Sequence, residues 1–342
     1  MRILVTGGTG FLGAAVVQRL VDAGHAVRLV SRNAPSSTTG LECLRGDLRE
    51  PHLVRAALKE IEVVYHLAGL VSFDPDDART MYELHVDCTR RLLEQANEAG
   101  VQRIVLASTS GTIAVARSDR VGTEADDYPI TVVGRWPYYL SKIYQEKLAL
   151  DFCRAHSLPL VVLNPGLLLG PGDERLSSTW VVSKFLNQDI PAMPSGGLSF
   201  VDVRDAADAF VQALGRGEVS GRHLMGVNMS FREFFGRLAR LTGVGAPKLR
   251  LTPRLNVLGS QLLERWAKLR GVDPPIGQHA VEIGEHFFYL DSSKAERELG
   301  FRARDPHETL HDTVQYLLRG PLSKQPDCDR PSSPYRDSHQ RS

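Results

Sequence analysis

Two side chains that could together move a proton lie four residues apart near the middle of the sequence. Tyr138 and Lys142 stand in the segment PYYLSK behind Pro137, a residue suited to the first turn of a helix. At this spacing both side chains lie on one helix face, so the ammonium is held close to the phenol. A nearby cation lowers the pKa of a phenol, which is about 10 when free. The pair is therefore a candidate acid and base near neutral pH, and the alternative is a solvated helix face.

A cluster of three hydroxyl side chains could serve the same chemistry. Ser108, Thr109 and Ser110 directly follow the apolar run RIVLA. The strand ends of a doubly wound sheet line the crevice in which ligands bind, so a hydroxyl there can hydrogen-bond a substrate oxygen. A polar turn after a strand would explain the same residues without a ligand.

A glycine-rich loop near the start of the chain predicts a phosphate site. Residues 6–13 read TGGTGFLG and lie between the apolar run MRILV and the amphipathic run FLGAAVVQRLVDAG. Gly7 or Gly8 would make the tight turn, Gly10 would let the backbone approach a pyrophosphate, and Gly13 would let the helix pack on its strand. An ordinary turn is the alternative. The order strand, glycines, helix favours a dinucleotide.

The elements that must position these residues alternate along the chain. Amphipathic stretches separate apolar runs, which predicts a doubly wound parallel α/β sheet, that is, a Rossmann fold. The predicted strands are 2–6, 26–31, 63–69, 103–108 and 158–165. Gly24 and Gly100 stand where helices should end.

After about residue 170 the pattern loosens, with predicted loops at PGDERLSS and PAMPSGGLS. We expect a Rossmann core at 1–170, a smaller and mainly substrate-binding region at 171–320 with some segments returning to the core, and a disordered tail at 321–342. The amphipathic segment 255–271 is interpreted as a helix packing on the domain, with a membrane-surface or partner helix as the alternative.

Composition excludes several classes of function. The 342 residues carry 41 basic and 40 acidic side chains, so there is no broad field for nucleic acid or an anionic membrane. No apolar run is long enough for a membrane span, since the longest, 158–170, is broken by Asn164 and Pro165. The scattered Cys43, Cys88, Cys153 and Cys328 argue against a metal site or disulfides, and they fit a reducing cytoplasm. We expect a small-molecule substrate.

These motifs resemble the extended short-chain dehydrogenase/reductase family, also called the NAD-dependent epimerase/dehydratase family. The matching segments are TGGTGFLG, GDL at 46–48, HLAG at 66–69, YYLSK at 138–142, NPGLLLGPGD at 164–173 and SSKAERELGF at 292–301. The resemblance is strongest to the dihydroflavonol reductase and 3β-hydroxysteroid dehydrogenase group.

The resemblance implies roles for individual residues. Tyr138 would exchange a proton with substrate, Lys142 would lower its pKa and hold the nicotinamide ribose, and Thr109, with Ser108 as the alternative, would orient the substrate. The implied cofactor contacts are Gly7, Thr9, Gly10, Phe11, Leu12, Gly13, Arg32, Asp47, Leu48, Leu67, Ala68, Gly69, Tyr138, Lys142, Pro165 and Leu168. The implied substrate contacts are Val71, Phe73, Ser110, Leu167 and Leu169.

The sequence departs from the family at one position, where His85 replaces the usual Asn of an NVxGT segment. His85 could hydrogen-bond in its place, or it could be a helix histidine satisfied by packing. The second strand ends with Arg32 and no acid, which favours NADP(H) and leaves NAD(H) possible. A homodimer through 78–99 and 138–155 is implied by resemblance alone.

Three reactions occur in this branch of the family. Ser110 and Gly111 stand where the dehydratases carry Asp and Glu, which disfavours dehydration. The leucines at 167–169 favour an apolar pocket over one for a sugar diphosphate. We therefore expect reduction of a carbonyl, or oxidation of the alcohol, on a large apolar ring-containing molecule, with HFFYLD and LLERWAKL as possible walls. The alternatives are a nucleotide-sugar epimerase that retains NAD and a non-catalytic sensor of the dinucleotide.

Overall fold

The computed structural model describes residues 1–249, 251–270 and 277–320. Its ten strands are β1 (Arg2–Thr6), β2 (Ala26–Ser31), β3 (Leu41–Arg45), β4 (Val63–His66), β5 (Arg103–Ala107), β6 (Leu160–Pro165), β7 (Leu167–Leu169), β8 (Gly197–Asp202), β9 (Gly221–Met225) and β10 (Val227–Ser230). Seven of them form a parallel sheet in the order β3-β2-β1-β4-β5-β6-β9.

The helices of the described ranges connect and cover these strands. They are α1 (Phe11–Asp22), α2 (Pro51–Ala57), α3 (Ala78–Tyr82), α4 (Cys88–Glu98), α5 (Ile130–Val133), α6 (Pro137–Ala155), α7 (Trp180–Leu186), α8 (Val203–Gln212), α9 (Phe231–Thr242), α10 (Pro253–Arg270), α11 (Gln278–Gly284), α12 (Ser293–Leu299) and α13 (Pro306–Arg319). A π-helical turn at Glu83–Asp87 joins α3 to α4.

Apolar side chains cover both faces of the large sheet. α1 and α8 pack on one face, where Val16, Leu20 and Phe210 are fully buried. α2, α4 and α6 pack on the other face through residues such as Leu92 and Leu150. Because strands buried on both faces must be apolar throughout, runs such as VVYH are continuous rather than alternating. The predicted doubly wound fold is confirmed.

A smaller sheet and a third core lie beside the end of β6. β8 pairs parallel with β7 and antiparallel with β10. α7, α9 and α13 bury apolar residues against it, among them Phe185, Phe234 and Leu310. β7 precedes residue 170 yet belongs to this smaller sheet, whereas β9 follows residue 170 and completes the large one.

The predicted strands are present, with small differences at their ends. The strand predicted at 63–69 ends at His66, and the one predicted at 158–165 begins at Leu160. The loop predicted at PAMPSGGLS is wrong over its last three residues, which start β8. Gly24 and Gly100 follow the ends of α1 and α4 with positive φ values of 81° and 73°, as predicted. The predicted tail at 321–342 lies outside the described residues.

Candidate active site

The turn between β1 and α1 is closely packed and leaves the start of α1 open. Gly7 has a φ of 74°, which side chains disfavour, and a Cβ there would lie 2.5 Å from the backbone nitrogen of Ala68. A Cβ on Gly13 would lie 2.1 Å from the carbonyl oxygen of Gly7. Gly10 caps α1 without a side-chain hydrogen bond to its first N–H groups. These N–H groups, at the positive end of the helix, are suited to a pyrophosphate.

A cleft extends from this turn to the end of β2. Asp47 accepts hydrogen bonds from the backbone N–H and the Nε of Arg49, at 3.0 and 3.2 Å. The segment 31–33, which begins at the last residue of β2, carries Arg32 and no carboxylate. The predicted cofactor residues that line the cleft are Gly7, Thr9, Gly10, Arg32, Asp47, Leu48, Leu67, Ala68 and Gly69.

Three further predicted cofactor residues form the first turn of α1 and do not line this cleft. Leu12 is buried in the core against the sheet. Phe11 packs partly against the same core, and Gly13 lies against Gly7. Their side chains support the loop, because the phosphate-binding groups of such a loop are its backbone N–H groups.

Tyr138 and Thr109 meet in a second and larger cavity. Pro137 begins α6, which places Tyr138 in its first turn, and Thr109 follows β5. Burial raises the pKa of Tyr138 to about 12, and a hydrogen bond with the Thr109 side chain offsets part of this rise. The expected lowering of this pKa by Lys142 is therefore wrong, and the phenol is protonated at neutral pH.

Lys142 is buried one helical turn after Tyr138, but its ammonium is held by other groups. Nζ donates to the carbonyl oxygen of Ala107 at 2.7 Å and to Oε1 of Gln145 at 2.5 Å. Burial lowers the pKa of Lys142 to about 8, and the charge of Glu146 opposes this effect. The spacing of four residues thus places the phenol and the ammonium on one helix. The pKa of the phenol is nevertheless set by burial and by Thr109, and not by the ammonium.

Beyond Gln145, a chain of buried polar groups continues to the glycine loop. Gln145 Nε2 donates to Thr89 Oγ1 at 2.9 Å, and Thr89 Oγ1 lies 2.8 Å from Nε2 of His66. Nδ1 of His66 lies 2.7 Å from Oγ1 of Thr6. Burial, with a smaller effect of the Lys142 charge, lowers the pKa of His66 to about 3, so this ring is neutral. The chain connects α6 to the residue before Gly7.

The cavity that contains Tyr138 and Thr109 has a volume of about 240 Å³ and an apolar lining. None of the described residues that line it carries a charge. The rings of Phe73 and Trp180 meet edge to face at 5.7 Å, and those of Tyr139 and Phe288 lie 5.6 Å apart. The other predicted residues that line this cavity are Val71, Ser110, Pro165, Leu167 and Leu168.

Leu169 was expected to contact substrate, and this prediction is wrong. Its side chain is fully buried in the third core, near Phe185 and Phe200. Leu167, two residues earlier on β7, packs partly against the same core and lines the cavity.

Comparison with known proteins places these features in a family. Residues 3–225 match the model of the NAD dependent epimerase/dehydratase family. The chain belongs to this family. The resemblance drawn from the motifs is thereby confirmed, and the alignment covers both the glycine turn and the Tyr138 helix.

Several known proteins are similar to this chain over nearly their whole length. A Synechocystis sp. protein named after dihydroflavonol 4-reductase is 29% identical, over 92% of this chain and 93% of that protein. Sterol demethylase protein B of Methylococcus capsulatus is also 29% identical, over 93% of this chain and 98% of that protein. Among solved structures, MoeE5 in complex with UDP-glucose and NAD has a TM-score of 0.72 at 26% identity, over 93% of this chain and 99% of that one.

His85, at the position where the family usually carries Asn, is fully buried in the π-helical turn and makes two hydrogen bonds. Its Nε2 accepts from the backbone N–H of Leu70 at 3.0 Å. Burial, and then the charge of Lys142, hold the pKa of His85 well below its usual range, so the ring is neutral and Nδ1–H donates to Ser141 Oγ at 2.9 Å. Ser141 in turn donates to the carbonyl oxygen of Tyr138 at 2.9 Å. His85 is therefore hydrogen-bonded and not merely packed.

Glu146, one turn after Lys142, is a buried carboxylate that ties the elements of the site together. Its Oε2 accepts from Ser108 Oγ at 2.5 Å, from Thr112 Oγ1 at 2.9 Å and from Asn164 Nδ2 at 2.8 Å. Arg222 lies 3.8 Å from its other oxygen. Ser108 is thus occupied by this carboxylate, whereas the hydroxyl that acts on the pKa of Tyr138 is that of Thr109.

Sequence reasoning missed Gln145 and Glu146 as partners at the site. The spacing of three and four residues from Lys142 was available as a signal, because it places both on the buried side of α6. Trp180 and Phe231 were missed as cavity walls, since they come from separate parts of the chain.

Two further observations concern what the described ranges lack. Nowhere in them do three or more His, Cys, Asp or Glu side chains gather so that they could hold a metal ion. None of the helices in those ranges has the length and apolarity that crossing a membrane requires.

Proposed function

We propose that this protein is an NAD(P)(H)-dependent oxidoreductase that reduces the carbonyl of a fairly large, apolar, ring-containing molecule, or oxidises the corresponding alcohol. The observation that carries the proposal is that the hydroxyls of Tyr138 and Thr109 both line an apolar cavity of about 240 Å³, without a charged lining residue among those described. A sugar diphosphate would need cationic partners there, because a buried unpaired phosphate is costly. An aromatic ketone carries no charge and would not need cationic partners.

The residues present fit a dinucleotide. The glycine turn has no room for a Cβ at Gly7 or Gly13, and the first N–H groups of α1 are available to phosphate. Arg32 at the end of β2 supports NADP(H), since a guanidinium suits a 2′-phosphate better than a hydroxyl. When bound, the nicotinamide supplies the hydride.

Tyr138 supplies the proton in this proposal. Its phenol, with a pKa of about 12, is protonated at neutral pH and can donate to an oxygen that becomes negative as the carbonyl is reduced. Thr109 lines the same cavity and offers a second hydroxyl to the same oxygen. A protonated phenol suits the acid role, which fits reduction near pH 7.

Tyr138→Phe tests the mechanism, and Tyr139→Phe is the matched control because Tyr139 lines the same cavity. We expect turnover of apolar ring ketones, followed by loss of nicotinamide absorbance, to fall about a thousandfold in Tyr138→Phe. Cofactor affinity should be nearly unchanged, and Tyr139→Phe should retain most activity. If Tyr138→Phe turns over at the wild-type rate, the proposed mechanism is wrong.

The cofactor preference is tested by titrating the protein with NADPH and with NADH. Arg32→Ala should weaken NADPH binding about tenfold and leave NADH binding nearly unchanged. A tighter wild-type affinity for NADH than for NADPH would contradict the preference.

A second candidate is a nucleotide-sugar epimerase that retains NAD, favoured by the similarity to MoeE5, which was solved with UDP-glucose and NAD. Purification with stoichiometric NAD, together with interconversion of nucleotide sugars and no net use of NADPH, would support it. A non-catalytic sensor of the dinucleotide would bind cofactor and show neither activity.

A homodimer through α3, α4 and α6 remains a prediction. Tyr82 of α3 and Tyr144 of α6 are exposed and stack edge to face at 6.1 Å, which supports a contact surface there. Sedimentation of the wild type and of a Tyr82→Glu, Tyr144→Glu variant would measure it. A wild-type monomer at micromolar concentration would refute the prediction.

A further inference from the structure

In the part of helix α10 whose side chains the structure describes up to residue 262, polarity is reversed relative to that of a helix packed on a domain. Asn256 and Ser260, one turn apart, are buried, and Asn256 Nδ2 donates to Oε1 of the buried Glu285 at 2.5 Å. Leu255, Leu258 and Leu262 are exposed by 54%, 52% and 59%. In a helix whose outer side meets only water, the leucines would face inward and the polar residues outward.

The exposed leucines form one stripe. Positions 255, 258 and 262 are three and four residues apart and therefore lie along one side of the helix. Leu249, exposed by 52%, precedes the helix by four residues. Single exposed leucines are ordinary, but a contiguous stripe marks a surface that contacts something apolar.

The charge around this stripe points to the nature of the contact. The sequence 248–262, KLRLTPRLNVLGSQL, has three basic residues and no acidic one. Lys248 and Arg254 are exposed beside the leucines. Leucines flanked by cations are the pattern of a helix that lies in the interface of an anionic lipid bilayer, with its apolar side among the acyl chains and its cations at the headgroups.

We propose that α10 docks this protein on the surface of an anionic phospholipid membrane, with Leu255, Leu258 and Leu262 inserted. The chain as a whole carries a net charge of only +1, so the attraction is local to this helix and is not a property of the whole surface. The helix would lie on the membrane and not cross it, in keeping with its polar buried side.

The position of α10 connects this surface to the apolar cavity. Asn256 of α10 lines that cavity, as do Ala280, Val281 and Ile283 of α11. An apolar substrate dissolved in the bilayer would therefore reach the cavity past this helix pair without crossing water. This second step rests on the proposed function, whereas membrane docking does not.

Flotation with lipid vesicles tests the docking on the full chain without substrate. We expect the wild type to float with vesicles of phosphatidylcholine and phosphatidylglycerol, and much less with phosphatidylcholine alone. The variant Leu255→Ser, Leu258→Ser, Leu262→Ser should bind about tenfold or more weakly. Leu318→Ser, which changes a leucine of α13 with 53% exposure, is the matched control and should bind like the wild type.

A second variant tests the charges. Lys248→Glu, Arg254→Glu should remove the preference for the anionic vesicles. Circular dichroism shows that each variant is folded. Absence of wild-type binding to either vesicle overturns the inference, as does a triple variant that binds like the wild type. A dimer that dissociates in the triple variant, with no vesicle binding, also overturns it, because the stripe is then an interface between copies.

Activity measurements separate this inference from the proposed function. With an apolar ketone dissolved in the vesicles, the triple variant should reduce the ketone more slowly than the wild type. With the same ketone in detergent micelles, the two proteins should reduce it at the same rate. If vesicle binding fails but Tyr138→Phe still abolishes reduction, the docking is wrong and the function stands. If the protein floats but reduces no ketone, the function fails and the docking stands.

Discussion

Replacement of His85 by alanine should weaken both folding and turnover, and the two effects can be measured separately. The imidazole accepts from Leu70 N–H at 3.0 Å and donates to Ser141 Oγ at 2.9 Å. Alanine leaves both groups without these partners, at a cost of about 1 to 3 kcal/mol for each buried group. Because Leu70 is only partly buried, we expect the free energy of unfolding to fall by about 2 to 4 kcal/mol.

The effect on turnover follows from what His85 holds in place. Ser141, its partner, donates to the backbone carbonyl of Tyr138, and the His85 ring lies edge to face with the Tyr138 ring at 6.1 Å. A displacement of a reacting group by about 1 Å can cost about a hundredfold in rate. We therefore expect kcat of His85→Ala to fall about ten- to a hundredfold, with cofactor affinity within about threefold of the wild type.

The assay compares urea unfolding, cofactor titration and steady-state ketone reduction. His85→Asn is the conservative control, because an amide can also accept from one partner and donate to the other, and it should recover most of kcat. Since His85 is neutral in the folded protein, His85→Asn should leave the pH profile of kcat unchanged between pH 6 and 8. If His85→Ala loses stability while kcat stays at the wild-type value, His85 is a structural residue and the positioning argument is refuted.

Three further predictions concern the buried charges and the glycine turn. The folded-state pKa of Lys142, about 8, lies below its ordinary value of 10.5, so the unfolded chain binds more protons between these pH values and stability should rise with pH there. In urea unfolding, the free energy of unfolding of the wild type relative to Lys142→Met should increase by about 2 kcal/mol from pH 8 to pH 10. If the two proteins show the same change of stability with pH, this prediction is contradicted. Glu146→Ala should lower the free energy of unfolding by about 3 to 5 kcal/mol, and Glu146→Gln by about half as much, since an amide oxygen still accepts from the same donors. Equal losses in these two variants would show that the carboxylate's hydrogen bonds contribute little. Gly13→Ala should weaken cofactor binding about tenfold or more, because its Cβ would lie 2.1 Å from the Gly7 carbonyl oxygen, whereas Gly215→Ala, with no atom within 4 Å, should have no effect on a cofactor titration.

The large sheet was predictable because its strands are buried on both faces. The runs ILV of β1 and LVVL of β6 are continuously apolar, which distinguishes them from the amphipathic helices between them. β3, with the sequence LECLR, lies at the sheet edge and is only partly buried, so no apolar run marks it. β8 follows a Pro- and Gly-rich stretch that predicts a loop, and its strand conformation comes from pairing with β7 and β10.

Site residues were predictable where a local rule of strand or helix structure fixes their position. They were not predictable where the packing of distant elements fixes it. The position of Thr109 follows from its place after a parallel strand, and that of Tyr138 from the start of a helix. The partners of Lys142 follow from no such rule. Gln145 connects it to Thr89 on α4 and through this to His66 on β4, and only the packed structure brings these elements together.

The difference between the expected and the observed environment of Tyr138 bears on the direction of the reaction. A spacing of four residues fixes the separation of two Cβ atoms, but a lysine side chain has three further carbons before its ammonium and turns toward the strongest acceptors within reach. For Lys142 those acceptors are the Ala107 carbonyl at the end of β5 and the Gln145 side-chain amide on α6. The phenol is then surrounded by apolar groups and Thr109, which keeps its proton in place. We therefore propose that Tyr138 acts as an acid toward an oxygen that gains charge, which fits reduction near neutral pH.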